Sequence, residues 1–213
     1  YAEYRYNVGS NYTWWGTGVD YGAFYDPNLD DFVNLQRAFA PEETGGFNRI
    51  MSKDYDNSYT LTLGGKGSFG TDWDYDLGFS HTQDKLIEHN FQRFDKAIDA
   101  YFRQHVLGPQ LGLDPYYGAY PVFSPNYAAF YSPMSQADFN SFTGYTDTYA
   151  KTWDNMLRGQ LTNASLFHMP GGDAGLAVVA EGGNQGWSYV PDPRLLNGDI
   201  WGTTDVQGAG HRS

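Results

Sequence analysis

The sequence predicts an all-β fold: antiparallel strands of a transmembrane β-barrel, set out as two hairpins with short turns at one end and long loops carrying short helices at the other. Three observations predict it. Four segments alternate large apolar with polar or tiny residues, most clearly Trp73-Asp74-Tyr75-Asp76-Leu77-Gly78-Phe79-Ser80, and successive side chains of a strand point to opposite faces. The segments join across short Gly-rich turns, yet the connections between hairpins are far longer than compact domains use. No stretch approaches the roughly 18 to 20 consecutive apolar residues of a membrane helix, which leaves a closed barrel as the way to span a bilayer.

The first strand, about 58–69, puts Tyr59, Leu61, Leu63 and Phe69 on one face with Gly65 and Gly67, and Thr60, Thr62, Lys66 and Ser68 on the other. Gly70-Thr71-Asp72 is a tight turn, so a hairpin is expected. The second strand, about 73–89, opens with Trp73 and Tyr75 beside that turn, where a membrane strand carries its interfacial aromatics. Past Phe79 it turns polar (His81, Thr82, Gln83, Asp84, Lys85), as a strand does on leaving the bilayer on the loop side.

The third strand, about 148–168, sets Tyr149, Trp153, Leu157 and Leu161 against Thr152, Asp154, Arg158, Gln160 and Thr162. Alternation breaks at Asn163, Ser165 and Leu166, through either a bulge or an early strand end. Pro170-Gly171-Gly172-Asp173 is the second tight turn. The fourth strand, about 174–190, sets Leu176, Val178 and Ala180 against Ala177, Val179 and Glu181. The charges of the alternating stretches fall opposite the large apolar residues, so Asp74, Asp76, Arg158 and Glu181 are expected to face a polar lumen. A slip of one residue would reverse every assignment.

Long loops are expected over 1–49, 90–146 and 191–213. Phe91, Phe94, Ala97, Ile98, Tyr101, Phe102 and Val106 recur at helical spacing, predicting an amphipathic helix over 90–107, ended by Gly108-Pro109. A shorter helix is expected after Asp30 (Phe32, Leu35, Phe39), stopped before Pro41, and another over 135–142. The aromatic faces of these helices are expected to pack on other loop residues. Clustered loop aromatics suit stacking on sugar faces or planar ligands; Trp14, Trp15, Tyr116, Tyr117, Trp187 and Trp201 are the candidate ligand-binding residues.

Composition narrows the function classes. The chain of 213 residues holds 18 Tyr, 14 Phe and 6 Trp, yet its mean hydropathy is negative, a mixture that aromatic belts plus a polar lumen and loops would give. A net charge of −12 argues against nucleic acid as a partner and against docking on anionic lipid through a basic patch. The absence of cysteine removes disulfides and thiolate chemistry.

Gly65-Lys66-Gly67-Ser68-Phe69-Gly70 has dinucleotide-fingerprint spacing but lies inside a strand and leads into a turn rather than a helix. Asp72, Asp74 and Asp76 lack the glycine and distal glutamate of a calcium loop. Neither an H-E-x-x-H nor a G-x-S-x-G motif occurs. No cofactor or metal is called for, and no carboxylate pair stands out as an acid and base, so enzyme activity is not expected.

The third strand and its turn, Leu166-Phe167-His168-Met169-Pro170-Gly171-Gly172-Asp173-Ala174-Gly175-Leu176-Ala177-Val178, resemble the L-F-x-L-P-x-G-x-x-G-L-A hairpin of TonB-dependent outer-membrane receptors. The downstream Glu181-Gly182-Gly183-Asn184-Gln185-Gly186-Trp187, Pro191-Asp192-Pro193 and Trp201-Gly202-Thr203-Thr204 are similar to the segment that follows it in that family. The resemblance implies a barrel of about 22 strands with a plugged lumen, in the outer membrane of a Gram-negative bacterium. It also implies partners: outer-membrane lipid, the remainder of the barrel and its plug, an inner-membrane energy-coupling complex, and a small-molecule or saccharide ligand. No plug domain, coupling box or terminal aromatic strand is visible, so the chain is expected to be an internal piece. The competing expectations are a secreted aromatic-rich carbohydrate-binding module, which would bury Trp73, Tyr75 and Leu77 in its own core, and a glycan-cleaving enzyme.

Overall fold

A computed structural model describes residues 2–5, 11–13 and 23–213. Its strands are β1 (Ala2–Arg5), β2 (Asn11–Thr13), β3 (Phe24–Asp26), β4 (Asp31–Val33), β5 (Gln36–Ala38), β6 (Ser52–Phe69), β7 (Trp73–Arg93), β8 (Gly112–Leu113), β9 (Pro121–Val122), β10 (Thr143–Met169), β11 (Gly172–Val190) and β12 (Gly208–Arg212). Its α-helices are α1 (Pro41–Thr44), α2 (Asp95–Phe102), α3 (Tyr127–Tyr131), α4 (Gln136–Ser141) and α5 (Pro193–Leu196); a 3₁₀ turn covers Phe47–Arg49 and a π turn Arg103–Leu107.

The main sheet has the order β1-β6-β7-β10-β11-β12 and is antiparallel throughout. Among the described residues it is open and does not close on itself. Two small sheets, β2-β5 and β4-β3-β9-β8, lie in the long connections, and β3 pairs with β9 in parallel.

Both predicted hairpins form. Gly70 and Asp72, at φ of 60° and 62°, take the left-handed backbone that the β6–β7 turn requires. The β10–β11 turn is tighter than expected: Pro170 and Gly171 alone make it, and the strand resumes at Gly172. The irregularity after Leu161 is a bulge, with the register shifting between Asn163 and Phe167 while β10 runs on to Met169. The buried Asn163 holds it by accepting from Ser165 N at 2.8 Å.

The strands outrun their expected ends on the loop side. β7 continues to Arg93 and β10 begins at Thr143 because these residues pair, Arg93 with Thr143 and Phe91 with Tyr145. The helix predicted over 90–107 therefore starts only at Asp95, whose carboxylate in the first turn suits the helix dipole. It runs through the π turn to Gly108 at φ 72°.

The helix predicted after Asp30 is overturned. Asp30, at φ 53°, reverses the chain so that Phe32 pairs with Tyr25 and Val33 with Phe24, and 31–38 becomes two short strands. The helix expected over 135–142 forms as α4, where Ser135 Oγ accepts from Asp138 N at 3.2 Å. The region 191–213 carries α5 and ends in β12, which adds to the sheet beside β11.

The hydrophobic core lies in the cap built by the connections, not between sheets. Phe24, Ile98, Phe102, Phe130, Phe139 and Phe142 are its most buried members, as expected for the aromatic faces of the loop helices. Their rings meet edge to face, Phe102 on Phe130 at 5.6 Å and Phe139 on Phe142 at 5.6 Å. Phe91 of β7 stacks on Phe139 at 6.0 Å and joins the cap to the strands. A buried pair ties the cap together: Arg37 donates to the carbonyls of Phe130 and Ser132 at 2.8 and 3.0 Å and to the Glu43 carboxylate. Burial alone would push the Glu43 carboxyl up; hydrogen bonds from Arg37 and the N–H groups of Ala40 and Met134 outweigh it and hold the group below the usual range.

Towards the short turns the four long strands are bare on both faces. The apolar row stands in the open: Leu63 is 60% exposed, Leu77 53% and Leu157 61%, with Tyr59, Phe69, Tyr75, Phe79 and Val178 exposed beside them. Thr60, Lys66, Asp74, Asp76, Arg158 and Glu181 are exposed on the other face.

Candidate ligand-binding face

Register settles which side chains share the polar face, because directly paired residues point the same way. Asp76 pairs with Lys66 and Gln160, Asp74 with Ser68 and Thr162, and Arg158 with Glu181. The four residues expected to face one way, Asp74, Asp76, Arg158 and Glu181, therefore do so. Ser68 Oγ donates to Asp74 Oδ1 at 2.5 Å, and Arg158 Nε meets Glu181 Oε1 at 3.1 Å. Both partners of that ion pair are about half exposed, so it orients side chains more than it stabilises the sheet.

Further along the same face, where β12 joins the sheet, lies a cleft of about 530 Å³ whose polar wall includes Thr82, Thr152, Asp154, Gln185, Trp187 and Arg212. Trp187 belongs to β11 rather than to a loop and pairs with Thr152 and Gly210. Its ring is 47% exposed and leans over two glycines of β12: a Cβ on Gly208 or Gly210 would come within 2.7 or 2.8 Å of it. Turned to accept, the Gln185 amide oxygen takes Arg212 Nε at 2.9 Å and Nη2 at 3.1 Å.

Above the cleft the face is acidic. Asp54 pairs directly with Glu88, and a hydrogen bond shared with Asp56, with burial adding to it, raises the Asp84 carboxyl. One flat ring, one carboxylate, one guanidinium, an amide and two hydroxyls around a cleft are the means to hold a neutral polyhydroxylated or weakly cationic ligand: stacking on Trp187, with hydrogen bonds from its neighbours.

The other predicted aromatics lie elsewhere. Tyr116 and Tyr117 sit in the turn between β8 and β9, and Tyr117 is 74% exposed. That turn is organised by Asp114, a residue the sequence reading passed over. Its buried carboxylate accepts from the N–H groups of Tyr116, Tyr117, Ala119 and Tyr120 at 2.6 to 3.0 Å. Burial works against the charge, but these four bonds outweigh it and pull the carboxyl down to about 2. Beneath the tyrosines Phe32 contacts Tyr117 at 5.7 Å and Tyr120 at 4.8 Å, and Asp30 Oδ1 accepts from both Tyr25 and Tyr116.

Trp201 is half-buried: the Arg93 guanidinium lies 4.3 Å from its ring centroid, and it packs against the cap core. Trp14 and Trp15 lie outside the described residues.

Alternation of the third strand assigns the cleft's Thr152 and Asp154 to the polar face. It does not reach Gln185, past the regular part of the fourth strand, or Arg212, whose strand has no apolar alternation to reveal it. Among the described residues no group of His, Asp and Glu is arranged to hold a metal ion. Comparison with family models, with curated proteins and with solved structures found no match for this chain.

Proposed function

We propose that this chain forms part of the wall and outer loops of an outer-membrane receptor of the TonB-dependent class, which captures a scarce nutrient and imports it along the polar face of the sheet. The observation that carries the reading is the apolar face of an otherwise bare sheet. From Tyr59 to Phe69 that face spans about 33 Å at strand rise, and at barrel tilt this projects to about 25 Å, the height of the apolar band of outer-membrane barrels. Aromatics mark both limits, Phe69 and Trp73 beside the short turn and Tyr59 and Trp153 at the far end.

The sheet edges agree with a continuing wall. Among the described residues β1 pairs only with Ser52–Tyr55 of β6, and β12 only with Gln185–Tyr189 of β11. Among the described residues the remainder of β6 and of β11 has no strand beside it on that side, leaving backbone groups that a barrel satisfies with neighbouring strands. In this reading the remaining partners are the rest of the barrel, its plug, and the inner-membrane complex that supplies energy through the plug. The ligand is a small polar molecule, most naturally a saccharide, held in the Trp187 cleft.

The secreted carbohydrate-binding module is less well supported, because it needs Trp73, Tyr75 and Leu77 inside a core, whereas Tyr75 and Leu77 are exposed. Reconstitution of the intact protein in vesicles whose acyl chains carry bromine tests the reading. A quenched fluorescence component that disappears in Trp73→Phe is expected; emission from Trp73 that bromolipid leaves untouched would refute the membrane assignment.

A further inference from the structure

The four long strands sort charge as well as apolarity between their faces. On the polar face stand Asp54, Asp56, Asp84, Glu88 and Asp154; on the apolar face the sole carboxylate of these strands is Asp147, engaged by His89 at 2.6 Å. In a chain of net charge −12, Lys85 and Lys151 nevertheless lie together on the apolar face, as direct cross-strand partners. The row across the sheet reads Asn57, Lys85, Lys151, Ser188.

This row lies next to the Tyr59–Gln83–Trp153 row, about 7 Å further from the short turns. Tyr55 and Tyr149 bound it on the other side. The Lys151 ammonium lies 5.3 Å from the Trp153 ring centroid, so its stem lies along the aromatic belt. Neither lysine forms an ion pair among the described residues.

Two ammonium groups directly opposed on a sheet repel, and an anion between them turns the repulsion into attraction. A phosphate is the anion that a pair of lysines flanked by amide and hydroxyl groups takes readily. We propose that Lys85 and Lys151, with Asn57 and Ser188 beside them, bind the phosphate of a lipid in the leaflet on the loop side, with its acyl chains lying on Leu63, Phe79 and Leu157. The proposal rests on the membrane reading above and adds the headgroup chemistry to it. Position selects lipid over soluble phosphate: the row sits at the level where a headgroup emerges from tails covering the band.

The intact protein, reconstituted in phosphatidylcholine vesicles doped with phosphatidic acid or with diacylglycerol of the same chains, is extracted in mild detergent and its retained lipids counted by native mass spectrometry. Phosphatidic acid is expected to be retained in preference to diacylglycerol. The preference should fall on the order of 20-fold in Lys85→Ser/Lys151→Ser and persist in Lys85→Arg/Lys151→Arg. An unchanged preference in the serine variant overturns the proposal, as does glycerol 3-phosphate displacing the lipid as well as phosphatidic acid does. Quenching of Trp73 by bromolipid, measured on the same samples, separates the two ideas: quenching without a lysine-dependent preference sinks this site alone, and no quenching sinks the membrane reading and this site with it.

Discussion

Asp114 shows how one carboxylate fixes a loop that carries exposed aromatics. Its two oxygens take four consecutive-turn N–H groups between Tyr116 and Tyr120, so the backbone beneath Tyr116 and Tyr117 is set before any ligand arrives, a saving in ordering cost on binding. The pH dependence follows from the depressed carboxyl, which falls from 3.8 to about 2 on folding. A group whose folded value lies below its unfolded one contributes stability above the unfolded value and loses it as pH falls through the folded one. Thermal melts of the wild type are therefore expected to weaken progressively between about pH 4 and pH 2, and Asp114→Asn should flatten that slope while lowering the melting temperature at neutral pH. Equal slopes in the two proteins would show that the Asp114 charge is not what holds the turn.

At the scale of elements, what was legible followed from how many periods each element contains. β6, β7, β10 and β11 alternate over enough residues for parity to place Leu77 on one face and Asp76 on the other, and the register agrees. β4 and β5 hold three residues each, too few to alternate, so Phe32, Leu35 and Phe39 mimicked a helix. The true signal there was Asp30, which closes the reversal at positive φ, a conformation Asp tolerates better than most residues. Asn90 to Arg93 fit a helical period as well as a strand, and pairing with β10 decided between them, a tertiary term that local pattern does not contain.

β12 was illegible for a steric reason: the Trp187 ring lies over Gly208 and Gly210, where a side chain would meet it, and glycines carry no alternation. That makes a strand-level prediction. Gly210→Val puts branched carbon where the Trp187 ring lies, with the first atom 2.8 Å from Nε1, and should lift the ring off the cleft. Binding on a saccharide array is expected to drop by about tenfold or more, equivalent to about 1.4 kcal/mol, while membrane insertion stays as in wild type. Unchanged saccharide binding would move the ligand away from Trp187, to the Tyr116 and Tyr117 turn.

For the molecule as a whole, the bare half of the sheet poses a problem of solvent that the cap does not solve. The cap holds the core, whereas the turn-side half exposes Leu63, Leu77 and Leu157 on one face and Lys66, Asp76 and Arg158 on the other. In water such a sheet would gain nothing from its apolar face, and its long unpaired edges would invite aggregation. In a bilayer with neighbouring strands both problems vanish, since lipid covers one face, water the other, and pairing the edges.

The two solvents assign different costs to the same pair of substitutions. Leu77 pairs with Gly65 and Gly159, midway along the apolar band; Gln160 pairs with Asp76 on the polar face. In a bilayer, arginine at Leu77 costs about 2–4 kcal/mol, whereas arginine at Gln160 stands in water opposite a carboxylate and costs little or stabilises slightly. In a water-soluble sheet Leu77 is exposed and Gln160 half-buried, both open to solvent, and both substitutions stay within about 0.5 kcal/mol of wild type. Denaturant midpoints for the intact protein refolded into vesicles are therefore expected to fall for Leu77→Arg and to hold for Gln160→Arg. Equal midpoints for the two variants would show that the apolar face meets water, and the barrel wall would have to be given up for a sheet covered by some other partner.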